Sequence, residues 1–291
     1  MRILVFCFFV VFSVAAHAQL AKTPAQELKS INYSYLLYLP DKYNSKSDKK
    51  WPLIIYLHGK SACGSNLDKV RRYGMPFYLD RGMKLEAIAI APQCPYGKNW
   101  VSENWFLPFL NEMKKKYPVD ENRIYLTGMS LGGFGAFSLA IKYPDIFAAV
   151  APLCGGGQPT TACPMKDIPT WVFHGDCDKQ VPLIRSTQMV EAIRKCGGHP
   201  KYSILKGQPH DIHKTYGKEE LYEWMLKQSK GKIDGSALAS AVYTDDETVV
   251  RDSVPKPMKP KGCFLKRIFK KENKTKEKGT EDDRKIRVEF K

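Results

Sequence analysis

Seven short apolar runs punctuate the first 230 residues, and they constrain the fold more than any other feature of the chain. They are Tyr35 to Leu39, Leu53 to Leu57, Ala87 to Ala91, Ile124 to Leu126, Ala148 to Ala151, Trp171 to Phe173 and Tyr202 to Leu205. All but the first, which alternates, are continuous, as expected of strands covered on both faces in a parallel sheet. Between them lie segments with helical spacing: 102–117, 133–142, 183–195 and 219–227. In the first of these Ser102 is a candidate N-cap, while Pro108 argues for a later start. Strands alternating with helices predict an α/β fold, a mostly parallel central sheet with helices on both faces. At 43% hydrophobic residues, the chain has material for a substantial core.

One run leads directly into chemistry. Ile124-Tyr125-Leu126 is followed by Thr127-Gly128-Met129-Ser130-Leu131-Gly132-Gly133, a G-x-S-x-G match between a strand and a helical pattern. A strand that turns sharply into a helix lifts the serine on a strained backbone, and small neighbours let other segments pass close by. A serine needs a base to become a nucleophile, and the base needs an orienting acid. The strand Trp171 to Phe173 runs into His174-Gly175-Asp176-Cys177-Asp178, which supplies two carboxylates. Asp176 and Asp178 compete for the role of acid; Asp176 is the better candidate for tying the loop to backbone amides. His210 follows the last strand by a short loop, His213 is its rival as base, and His199 lies before that strand. His174 and His58 read as structural. His210 with His213 could form a metal pair, but no third ligand is evident. Two backbone amides should face a developing oxyanion: that of Leu131, and that of Lys60 or Ser61 in the turn after His58-Gly59.

With these residues in place, the chain from about 33 to 228 resembles the α/β-hydrolase superfamily. More narrowly it resembles the secreted bacterial esterase or "predicted peptidase" group, akin to phospholipase/carboxylesterases, feruloyl esterases and polyhydroxybutyrate depolymerases. The matching segments are Trp51 to Gly59, Ala91 to Pro95, Arg123 to Gly133, His174 to Asp178 with Val181-Pro182, and Leu221 to Trp224. The resemblance implies Ser130 as nucleophile, Asp178 as acid and the histidine of Gly207-Gln208-Pro209-His210 as base. It implies a serine esterase that needs no cofactor and acts on small or polysaccharide-derived esters. The chain departs from the group's usual pattern at Lys60-Ser61-Ala62-Cys63 and at His213. The same motifs fit a serine peptidase of the prolyl-oligopeptidase-like type, or a binding protein that keeps the fold without turnover. Trp100 and Trp105 are candidates for lining a substrate pocket, with core packing as the competing reading.

The first eighteen residues have Arg2, an apolar run from Ile3 to Ala16, and Ala16-His17-Ala18. This pattern predicts a secretory signal cleaved after Ala18, and a secreted or periplasmic protein. The hydrolase domain is expected over 19–230. Export permits disulfides; Cys154 with Cys163, and Cys63 with Cys94, are plausible pairs among the eight cysteines. From 231 to 291 charge runs and prolines replace apolar periodicity, which predicts a basic, mostly disordered tail. Its segment Gly262 to Lys271 could touch an anionic membrane or polymer. The net charge of +16 comes with no nucleic-acid recognition motif, so nucleic acid is not an expected partner. A monomer is expected.

Overall fold

The computed structural model describes residues 33–231 in full and the strand Gln26–Ser30 as backbone. The expected signal segment lies outside the described residues, as does the tail beyond residue 231. Eight strands form one sheet: β1 (Gln26–Ser30), β2 (Tyr33–Tyr38), β3 (Trp51–Leu57), β4 (Ile88–Pro92), β5 (Val119–Met129), β6 (Ala149–Leu153), β7 (Trp171–Gly175) and β8 (Lys201–Leu205). Their spatial order is β1-β2-β4-β3-β5-β6-β7-β8. β1 and β2 pair antiparallel, as do β2 and β4; every other pairing is parallel. This is the α/β-hydrolase fold.

The helices are α1 (Asp68–Arg71), α2 (Gly74–Leu79), α3 (Phe106–Lys116), α4 (Leu131–Lys142), α5 (Ile184–Lys195) and α6 (Glu219–Lys227). Alternation along each strand sends neighbouring side chains to opposite faces. Leu53, Ile55 and Leu57 therefore join a core with Phe109, Phe137 and Val190 of α3, α4 and α5. Ile54 and Tyr56 join the other core, with Val70, Met75 and Met225 of α1, α2 and α6. Both faces of β3 are covered and its whole length is buried, which is why it reads as an unbroken apolar run.

Some local expectations need correction. The helix expected over 102–117 begins at Phe106, with Trp105 at its N-cap position. Ser102 closes the preceding loop instead, its hydroxyl accepting from the Asn99 amide at 3.0 Å. Pro108 falls in the first helical turn, where a missing N–H costs nothing. The cysteines also pair differently: Cys163 bonds to Cys196 across 33 residues, linking the loop after β6 to the end of α5. Cys154 is buried and reduced. Cys63 and Cys94 are both buried and reduced.

Candidate active site

β3 to β8 run the same way, so the residues following them gather along one edge of the sheet. β5 ends at Met129 and α4 begins at Leu131, leaving Ser130 alone in the turn. Its backbone has φ 59° and ψ −119°, a conformation that costs an L-residue energy and is held by its surroundings. The Ser130 amide donates to the Leu153 carbonyl at 2.9 Å, which ties the turn to the end of β6. Tight crossings hold the other side. A methyl group on Gly132 would run into the Leu57 carbonyl, and one on Gly133 would lie 2.5 Å from the Leu153 carbonyl. Only glycine lets α4 start this close to the ends of β3 and β6.

The three residues singled out by sequence meet here. His210 Nε2 lies 2.8 Å from Ser130 Oγ, and His210 Nδ1 lies 2.6 Å from Asp178 Oδ2. The other carboxylate oxygen, Oδ1, accepts from the amides of Gln180 and Val181, each at 2.8 Å. Burial would raise the Asp178 carboxyl, but the bonds from His210 and from the two amides outweigh it and hold the group below its ordinary range. A permanent carboxylate there fixes the His210 tautomer with hydrogen on Nδ1, so Nε2 can take the serine proton.

The rivals settle elsewhere. Asp176 Oδ1 accepts from the Gly207 amide at 2.6 Å, tying the β7 loop to the β8 loop. His213 Nδ1 lies 2.6 Å from Asp211, and its ring packs among Tyr73, Phe77 and Tyr78. His199 is exposed ahead of β8. His174 is fully buried; its Nδ1 meets Ser186 Oγ at 2.5 Å and its Nε2 meets the Val181 carbonyl at 2.8 Å. The same Nε2 is 3.2 Å from Asp178 Oδ2, a second histidine on the oxygen that holds His210.

The turn after β3 sits beside the serine: a Cβ built on Gly59 would be 3.5 Å from Ser130 Cβ and from the Met129 carbonyl. Lys60 opens a 3-10 turn there and Leu131 opens α4, positions whose amides lack a partner within their own helix. His58 braces this turn from below. Its Nδ1 donates to the Gly59 carbonyl at 2.7 Å and its Nε2 accepts from the Cys94 amide at 2.9 Å. Burial drives its pKa from 6.5 down to about 4.

Trp100 and Trp105 are placed differently from a pocket lining. They are 1% and 4% exposed. Trp100 Nε1 donates to the His58 carbonyl at 3.0 Å, and Trp105 Nε1 donates to the Trp100 carbonyl at 2.9 Å. Both indoles are core residues that support the His58 turn from inside.

Sequence reasoning took Cys154 only as a disulfide candidate and missed its place beside the acid. It follows β6, has φ 45°, and is fully buried. Cys154, His174 and Asp178 bring three ligand-type atoms within 4.8 Å of one another. No spacing pattern in the sequence marks Cys154, because its contact depends on which strands are neighbours.

A serine on a strand-to-helix elbow, hydrogen-bonded to a histidine and through it to an acid, is an arrangement that can activate a serine for nucleophilic attack. The Esterase family model matches residues 29–227, and the chain belongs to that family of α/β-hydrolases. It is 29% identical over 121 residues to poly(3-hydroxyalkanoate) depolymerase C of Paucimonas lemoignei, covering 36% of this chain and 28% of that protein. It is 29% identical over 91 residues to the bifunctional acetylxylan esterase/xylanase XynS20E of Neocallimastix patriciarum, covering 31% of this chain and 13% of that one. This chain thus spans less than a third of either relative. Among solved structures, a thermostable esterase superposes with TM-score 0.59 at 28% identity, covering 71% of this chain and 63% of the other.

Proposed function

We propose that the protein hydrolyses carboxylic esters through an acyl-enzyme. Ser130 Oγ attacks the ester carbonyl carbon while His210 Nε2 takes its proton. Asp178 stabilises the resulting imidazolium and keeps Nδ1 as its donor. The tetrahedral oxyanion is held by the amides of Leu131 and Lys60. Collapse expels the alcohol, protonated by His210, and leaves an ester on Ser130. Water then attacks that ester with His210 again accepting a proton, and the acid is released. The observation that carries this reading is the unbroken relay of 2.8 Å and 2.6 Å from Ser130 through His210 to Asp178, set on a strained elbow.

Family membership supports the ester as the bond cleaved. The acetylxylan esterase and the poly(3-hydroxyalkanoate) depolymerase among its relatives support acylated carbohydrate or 3-hydroxyalkanoate esters as substrates. The leader-like first eighteen residues support action outside the cytoplasm.

Turnover of p-nitrophenyl acetate by wild type and Ser130→Ala tests the proposal, with a loss of roughly 10^4- to 10^6-fold expected. Equal rates would remove Ser130 from the mechanism. A fluorophosphonate probe should label wild type at Ser130; an unlabelled protein would mean a binding module. Peptide amides assayed beside esters should turn over far more slowly, and the reverse order would make the protein a peptidase.

A further inference from the structure

Among the described residues, two that are not glycine have positive φ: Ser130 at 59° and Cys154 at 45°. Ser130 has a reason to be strained. Cys154 occupies a backbone conformation that glycine adopts at little cost, and carries a side chain there nonetheless. The two residues belong to one construction. The Ser130 amide donates to Leu153 at the end of β6, and the next amide, that of Cys154, donates to the Phe173 carbonyl of β7 at 2.9 Å. The strained turn at Cys154 brings its sulfur within 4.8 Å of a carboxylate oxygen of Asp178 and a ring nitrogen of His174. The residue is fully buried, so water does not compete for that contact.

We propose that Cys154 is a positioning residue for the acid of the relay, its thiol donating to Asp178 and setting how strongly that carboxylate holds His210. The inference rests on the esterase reading above. Burial, with the negative charge of Asp178 beside it, raises the thiol to about 12, so it remains an S–H donor. The carboxylate has two other sets of donors: the amides of Gln180 and Val181 on Oδ1, and His210 with His174 on Oδ2. Asp211 is the other charged group within electrostatic reach of the thiol. Each donor spreads the charge of Asp178 and lessens what it offers to the His210 imidazolium. Removing the thiol should leave the carboxylate more basic toward His210 but freer to move, and the lost alignment of His210 outweighs the added basicity in turnover.

Three variants separate this role from packing. Cys154→Ala removes the donor and keeps the strain. Cys154→Gly removes both. Cys154→Ser restores a donor of similar reach. Cys154→Ala and Cys154→Gly should lower kcat roughly threefold to tenfold, the scale of one hydrogen bond, with KM little changed. In both, the acid limb of the kcat/KM profile should move to higher pH, since a more basic carboxylate favours protonated His210. Cys154→Ser should bring kcat and the acid limb back toward wild type. In urea titrations Cys154→Gly should be at least as stable as Cys154→Ala, because glycine relieves the backbone. The low-field proton resonance of the His210–Asp178 hydrogen bond should move in the alanine and glycine variants and return in the serine variant. Wild-type kcat, pH profile and resonance in folded Cys154→Ala and Cys154→Gly would overturn the proposal, as would a folded Cys154→Ser that restores none of them. The resonance needs no turnover. A protein that cleaves no ester while its resonance follows this order would sink the esterase reading and leave the positioning role standing.

Discussion

Replacing His58 by glutamine should flatten a large part of the protein's acid sensitivity. His58 is buried beneath the turn after β3, with Nδ1 donating to Gly59 and Nε2 accepting from Cys94. Only the neutral ring satisfies both bonds, because a protonated Nε2 would face another N–H. Burial accordingly lowers its pKa from 6.5 to about 4. In that window the unfolded chain binds a proton that the folded chain refuses. The stabilising effect is therefore complete above pH 6.5, declines as the pH falls to 4, and is flat below. The shift is worth about 3 kcal/mol at 1.36 kcal/mol per unit. Glutamine presents a neutral acceptor with imperfect reach, which should cost about 1–2 kcal/mol at pH 7.5. Urea unfolding of both proteins from pH 7.5 to 4 is the assay. Wild type should be the more stable at pH 7.5 and the less stable near pH 4, the difference changing by about 3 kcal/mol across the window. Other acid-sensitive groups, Asp178 and His174 among them, are common to both proteins and cancel. A stability difference that stays constant with pH would refute the reasoning.

Further outcomes follow from the same structure. Asp178→Asn should lower kcat by about 10^4-fold while the protein still folds, measured with p-nitrophenyl acetate and by circular dichroism. Because the Asp178 carboxyl lies below its ordinary value, its contribution to stability is present above that value and lost as pH falls through the lowered one. Asp178→Asn should therefore show a shallower loss of stability below pH 4 than wild type. Gly132→Ala should cost about 2–3 kcal/mol or prevent folding, since its methyl meets the Leu57 carbonyl; a wild-type melting temperature would contradict the crossing. The double variant Cys163→Ala/Cys196→Ala opens a loop closed across 33 residues and should lose about 3–4 kcal/mol in urea, with esterase turnover of the folded protein unchanged.

How much was legible depended on how local the cause was. Leu53 to Leu57 could be read as a buried strand because both its faces need apolar side chains. Ser130 could be read because an elbow imposes glycines within a few residues of it. Places just after apolar strands narrowed the acid to Asp176 or Asp178 and left His210 with His213 as its rival for the base; the resemblance chose Asp178 and His210, which lie in line with Ser130. β1 was not, since Gln26–Ser30 is a polar edge strand that pairs with β2 alone and needs no apolar signature. α1 and α2 are too short for helical periodicity to declare itself. Cysteine pairing was misread because proximity in sequence, as between Cys154 and Cys163, says little about which strand ends are neighbours. For Trp100 and Trp105 the sequence left pocket lining and core packing open; the core reading holds, with Gly135 and the His58 carbonyl giving Trp100 an interior seat. The role of Cys154 rests on a backbone angle that no residue type announces.

The sheet order has a consequence for how activity arises as the chain is made. β5, which carries Ser130, is central, whereas β8, which delivers His210, is the last strand and lies at the edge. Eighty residues separate the two ends of the shortest hydrogen bond to the serine. Parallel pairings of this kind form slowly, since each closes a long stretch of chain. Ser130 can therefore be presented early, but its hydrogen bond to His210 waits until the last strand docks. Under the proposed mechanism turnover would report completed folding, and a nascent or nicked chain would carry a serine still without its base.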